Sequence, residues 1–256
     1  MAKYNKHTPP QLPMKKLILL LISLLTIITA PSQASPETIR VLLITGGHGY
    51  DTNEFHAMFA TNASLQVTHV VHPEAQAWFR PEKARNFDVL VAYDMWKTIT
   101  ETAGTDLLQL VRQGKGLLAL HHSLASFPDW PEYASLIGGK YHETPWKLDG
   151  HEMPASTYEH DMEVPVEIVN PQHPVTQGIQ NFTIHDEVYG GFEVKPDAQP
   201  LLRTTHPKSG PVLAWHRQEG AGHVVYLQLG HDHQAYAHPA FQQLVTQAIH
   251  YVAHKH

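Results

Sequence analysis

The apolar run Gly116-Leu117-Leu118-Ala119-Leu120 ends abruptly in two imidazoles, His121 and His122. In an open α/β sheet ligands gather at the carboxyl ends of the strands, so a buried strand that delivers histidines at its tip marks a candidate reaction centre. Three further places carry matching chemistry: His48 after Gly46-Gly47, the pair Asp186-Glu187, and His231-Asp232 after Gly230. The chain contains no cysteine. A thiol nucleophile is therefore excluded, and imidazole, carboxylate, hydroxyl or a metal must do the work.

Two kinds of chemistry suit this set. In the metal-free one, His121 is the central acid or base and a carboxylate, Glu187, orients or assists it, with His48 and His231 completing a polar wall. In the other, His48, His121 and His231 hold a divalent ion such as zinc with a position left open for substrate. No compact ligand signature such as His-Glu-x-x-His is present. His231 and His233 share a face only if their segment is a strand. His250 and His254, spaced i and i+4 near a helix end, are explained by the helix dipole and solvent. If strand geometry continues past Leu120, His122 points away from His121 and is its structural partner. Tyr50, Trp96, Trp130, Trp146 and Tyr189 fall in or near the loops expected around the site. Flat rings beside polar groups suit the mixed faces of a pyranose, although core or lid packing also explains such rings.

The elements that position these residues follow from pattern. Ile39 to Thr45 is a β-branched and leucine run bounded by glycines, the mark of a buried parallel strand. Asp51 or Thr52 caps a helix reaching about Thr61. Leu65 to Val71 and Phe87 to Tyr93 read as the next strands. Thr100 to Gln113 has helical periodicity and stops at Gly114; the strand Gly116 to Leu120 follows. This alternation predicts a doubly wound, mostly parallel α/β sheet. Beyond it the rhythm shortens. Phe127 to Ile137 holds a short helix, Glu163 to Val169 a strand, and Ile184 to Phe192 a polar and aromatic segment. Pro200 to Thr205 is a further strand, and Gly220-Ala221-Gly222 closes a short antiparallel hairpin between Val212–Arg217 and His223–Leu229. Pro239 to Ala253 is an amphipathic helix.

Residues 1–34 read as an export leader. Lys15 and Lys16 precede the apolar run Leu17 to Ala30, and Ser32-Gln33-Ala34 offers small residues for cleavage after Ala34. Met14 directly before the lysines is an alternative start. Residues 35–256 then form one domain, periplasmic or secreted, with no stable membrane span after cleavage. The whole chain has a formal charge of −6. The leader carries lysines and no acid, so the remainder is more negative still, which argues against nucleic acid as a partner.

Several landmarks occur together and in order: Gly46-Gly47-His48, Gly116 to His121, Leu136-Ile137-Gly138-Gly139 followed by His142, His173-Pro174-Val175-Thr176, Asp186-Glu187-Val188-Tyr189, and Gly220 to Tyr226 leading to Leu229-Gly230-His231-Asp232. This set resembles the trehalose-utilisation (ThuA-like) family, which has the class I glutamine amidotransferase-like, flavodoxin-like fold. The resemblance implies that His121 stands where true amidotransferases carry their strand-to-helix cysteine, so cysteine-dependent glutaminase activity is excluded here. It also implies a carbohydrate or keto-sugar ligand, transformed by a hydrolase or isomerase. His122, Tyr50, Trp96, His142, Asp186, Tyr189 and Asp232 are the expected substrate contacts. The alternatives are a non-catalytic carbohydrate-binding module on the same fold and a periplasmic metal-binding protein.

Overall fold

A computed structural model describes residues 1–4 and 38–254, so the expected leader, beyond its first four residues, and Met14 lie outside the described residues. Strand β1 (Ile39–Gly46) and helix α1 (Thr52–Ala60) lead to β2 (Leu65–Val71). A 3₁₀ turn at Glu74–Phe79 and α2 (Pro81–Ala84) precede β3 (Val89–Asp94), and α3 (Glu101–Arg112) precedes β4 (Gly116–Leu120). The chain then turns through a 3₁₀ segment, His121–Ala125, into α4 (Pro131–Ile137). Short strands β5 (Gly139–Lys140), β6 (Trp146–Leu148) and β7 (His151–Met153) lead to the long pair β8 (Thr157–Ile168) and β9 (Phe182–Gly190). After β10 (Glu193–Val194) come β11 (Gln199–Arg203), β12 (Val212–Glu219), β13 (Gly222–Leu227), α5 (His233–Ala237) and α6 (Pro239–Val252).

Nine strands form one mixed sheet in the order β2-β1-β3-β4-β13-β12-β11-β8-β9. β2, β1, β3, β4 and β13 run parallel, and every residue of β3 and β4 is buried, which matches apolar sequences interrupted only by Asp94 at the end of β3. Winding reverses between β1 and β3, which creates a switch point at their carboxyl ends. The expected hairpin is β12–β13, with Glu219 opposite Gly222 and Gly220 at φ +60° in the turn. It continues into β11, β8 and β9, so the antiparallel part is larger than a hairpin. The outer half of β8, Thr157–Glu163, hid this extension, because its exposed polar residues carry no apolar alternation.

The two faces of the sheet bury separate cores. Val41, Leu43, Val91 and Leu118 pack with Phe55 of α1 and Phe241, Leu244 and Ile249 of α6. Leu42, Ile44, Leu90 and Leu117 pack with Leu107 and Val111 of α3 and Ile137 of α4. Thr100 caps α3 through its hydroxyl, which accepts from the Ala103 N–H at 3.2 Å. Asp51 occupies the cap position of α1 without capping it, because its carboxylate is spent on the backbone and ring of His233. Among the described residues no helix is long and apolar enough to cross a membrane.

In the middle of β12, opposite Val225 of β13, His216 lies with its ring 4.3 Å from that of His173 and its Nδ1 3.2 Å from the Tyr251 hydroxyl. Burial, with help from His223, pushes the His216 pKa down. The folded state therefore takes up this proton at lower pH than the unfolded chain, and stability falls as pH drops below about 6.5. Urea midpoints measured at pH 7.5 and 5.5 are expected to fall less in His216→Gln than in the wild type.

Candidate functional site

The turn after β4 is built around one residue in an uncommon conformation. His121 has φ +49°, in the left-handed region that costs a residue with a Cβ about 1–2 kcal/mol. Two contacts from β13 and its continuation hold it there: the Tyr226 hydroxyl donates to the His121 carbonyl at 3.0 Å, and His121 Nδ1 donates to the Gln228 carbonyl at 2.6 Å. With Nδ1 committed, Nε2 is aimed at three groups. Glu187 Oε2 lies at 2.9 Å, the Tyr189 hydroxyl at 2.9 Å and His231 Nδ1 at 3.2 Å.

Glu187 and Tyr189 belong to β9, the far edge of the sheet, yet both touch His121 at the end of β4. The antiparallel half therefore curls back over the carboxyl ends of the parallel half. Asp186 locks that arrangement. Its buried carboxylate accepts from the N–H groups of Gly230 at 2.7 Å, His231 at 2.9 Å and Glu187 at 2.8 Å. Gly230, at φ +110°, is needed in this loop because a Cβ there would lie 2.5 Å from the Phe241 ring. Burial pushes the Asp186 pKa up, against the pull of His121 and of these three donors.

His121 Nε2, Glu187 Oε2 and His231 Nδ1 form a triangle with edges of 2.9, 3.2 and 3.2 Å. Burial alone would raise the Glu187 pKa; hydrogen bonds from His121 and His231 overcome it and hold the carboxyl far below the usual range. The same contact with Glu187 raises His231. Two ring nitrogens and a carboxylate oxygen this close demand positive charge among them, from protons or from a cation. Ligands placed about 2.0–2.2 Å from a zinc ion stand roughly 2.9–3.5 Å apart, so the triangle has the dimensions of a two-histidine, one-carboxylate metal set.

Glu187 and Tyr189 face a cavity of about 450 Å³, whose walls include His48, His122, Tyr141, Tyr158 and His160. His48 is exposed, its ring stacked 4.6 Å from that of His122 and 6.4 Å from that of His231, so it stands in the wall, outside the triangle. Loss of hydration on its covered side lowers the His48 pKa, and the full burial of His122 lowers its pKa much further. His122 does not point away from the site. The strand stops at Leu120, and the 3₁₀ turn carries the ring to the cavity wall.

Other residues expected near substrate are placed elsewhere. Tyr50 packs edge-on against Phe55 and Tyr93. Trp96 lies parallel to His72 at 5.4 Å, and His142 stacks on Trp146 and binds Glu193. Asp232 caps α5 by accepting from Gln234 and Ala235, and Asp186 accepts its hydrogen bonds from backbone N–H groups. His233 opens α5, since β13 ends at Leu227, and shares no strand face with His231. His250 binds the Ser64 hydroxyl, and the His254 ring lies against His223.

Sequence reasoning missed Tyr141, Tyr158 and His160. His160 Nδ1 is 3.3 Å from Glu187 Oε1, and its ring is 4.7 Å from that of His231. A break in the β8–β9 register between Glu159 and Met162, with Asp161 at φ +59°, turns this side chain toward the cavity. A lone histidine in a polar stretch offered no signal for it.

A model of the ThuA family, described as trehalose utilisation, matches residues 40–252, and the chain belongs to that family. Among solved structures it is similar to a ThuA-like protein from Parabacteroides merdae, with TM-score 0.70, 18% identity, and coverage of 85% of this chain and 90% of that one. A ThuA-like protein from Bacteroides uniformis gives 0.64 and 16%, covering 87% and 95%. A cytoplasmic protein from Salmonella typhimurium gives 0.57 and 17%, covering 83% and 98%. At these identities the likeness is one of fold. No curated protein matches the chain.

Asp186→Asn replaces an acceptor of three backbone donors with a side chain that brings its own N–H groups into their midst. It is expected to lower stability by about 2 kcal/mol or more in denaturant unfolding.

Proposed function

We propose that this protein is an exported enzyme that acts on a carbohydrate or keto-sugar derivative with a divalent ion of the zinc type held by His121, Glu187 and His231. The observation that carries this reading is the triangle of ligand atoms, 2.9–3.2 Å on each edge, of which Glu187 lines the cavity. Such an ion supplies Lewis acidity toward a carbonyl or hydroxyl oxygen.

The chain's own groups support the same reading. The Gln228 carbonyl fixes the His121 tautomer that leaves Nε2 free to ligate, and the Asp186 carboxylate holds the backbone that presents His231. Burial raises the Tyr189 pKa well above its ordinary value, so the hydroxyl keeps its proton and can donate to a ligand oxygen. His160 steadies the second oxygen of Glu187 at the solvent side. The carbohydrate class draws support from the family description and from the tyrosines of the cavity wall. Export draws support from the basic, apolar and small-residue order of residues 15–34.

Metal analysis of untagged protein after reconstitution with zinc is expected to give one ion per chain. His121→Ala, Glu187→Gln and His231→Ala are each expected to weaken zinc binding by more than about 100-fold with the fold retained by circular dichroism. Turnover of a sugar and keto-sugar panel should vanish in the same variants. Unchanged zinc affinity in all three would sink the metal reading, and tight sugar binding without product would sink the enzyme.

A further inference from the structure

A second cleft, of about 500 Å³, opens between the first turns of α3 and the segment Asp129–Glu132 that leads into α4. One ion pair links it to the first cavity. Lys97 lines the second cleft, Glu143 lines the first, and the two side chains pair across the boundary while each stays about half exposed.

The floor of this cleft includes Trp130, and the seat of that ring is unusual. Helix α3 carries Gly104 in its interior, where glycine costs about 1 kcal/mol relative to alanine. A Cβ at that position would lie 3.1 Å from Cε2 and Cζ2 of Trp130. The helix thus accepts a poorer former where the indole lies against its backbone. Tyr133 stacks on the ring from another side at 6.0 Å, and Phe127 meets it edge-on at 6.0 Å. The indole is held in one orientation, yet it remains partly exposed in the cleft.

The groups around it define a ligand chemistry. Threonines 100 and 105 and the carboxylates of Glu101 and Asp129 share the lining, and the single cation among the lining residues, Lys97, is already paired. A fixed aromatic plane beside hydroxyls and acceptor oxygens suits the apolar face and hydroxyl rim of an uncharged sugar ring. A phosphorylated sugar would find carboxylates and no free counter-charge.

We infer that the second cleft is a further carbohydrate subsite with Trp130 as its stacking platform, so that an uncharged oligosaccharide spans both cavities across the Lys97–Glu143 pair. The inference rests on the reading that the first cavity takes carbohydrate. It makes chain length the property that the protein selects.

The test is calorimetric binding of neutral gluco-oligosaccharides of two to five units, with α and β linkages, to the zinc-reconstituted full chain. Affinity is expected to rise at least tenfold from two units to four, with quenching of tryptophan emission that only the longer ligands produce. Trp130→Ala should abolish both the gain and the quenching and leave disaccharide affinity unchanged. Thr105→Arg, at an exposed position on α3, fills the cleft without disturbing the packing of the indole and should abolish the gain as well. Affinity independent of length, or a length gain that survives Thr105→Arg, overturns the subsite while leaving the first cavity's assignment intact. Failure of every sugar to bind the wild type overturns both.

Discussion

The bond from His121 Nδ1 to the Gln228 carbonyl is the contact on which the site depends. It settles which nitrogen of the ring faces the cavity, and it does so from backbone, whose position the sheet dictates. The left-handed turn at His121 is the cost of placing an imidazole there. β13 bears that cost, because the same strand and its continuation provide the Tyr226 hydroxyl and the Gln228 carbonyl, and its parallel pairing with β4 brings both to the turn.

A parallel sheet alone would leave this histidine without a carboxylate partner. The antiparallel extension supplies it by curling until Asp186, Glu187 and Tyr189 arrive over the carboxyl ends of β4 and β13. Alternation along β9 would send Asp186 and Glu187 to opposite faces, and the structure uses both. Glu187 faces the cavity and the imidazoles, while Asp186 faces the loop after β13 and fastens it by three N–H donors. One dipeptide thereby supplies both a reactive group and the brace that presents its partner.

Much of the parallel core was legible from the chain, because strands buried on both faces must be continuously apolar. Val41–Ile44 and Gly116–Leu120 are such runs, and the carboxyl ends of their strands name His48 and His121. Segments whose partners lie on one side only were harder. The outer half of β8 is polar and exposed, so neither its strand character nor the reach of His160 into the cavity could be read. Tyr50 and Trp96 illustrate the converse: aromatic residues after strands suggest a binding wall, but rings also fill cores, and only neighbours such as Phe55 and His72 distinguish the two uses.

The sequence by itself determined the alternation of elements, the absence of thiol chemistry and the presence of histidines at strand tips, since each follows from local periodicity or residue type. Tertiary structure alone decided that Glu187 and His231 join His121 while His48 stays in the wall. Distances of 2.9–3.2 Å between residues far apart in the chain depend on the curl of a sheet and the register of its edge strand, and those are set by packing summed over the whole domain.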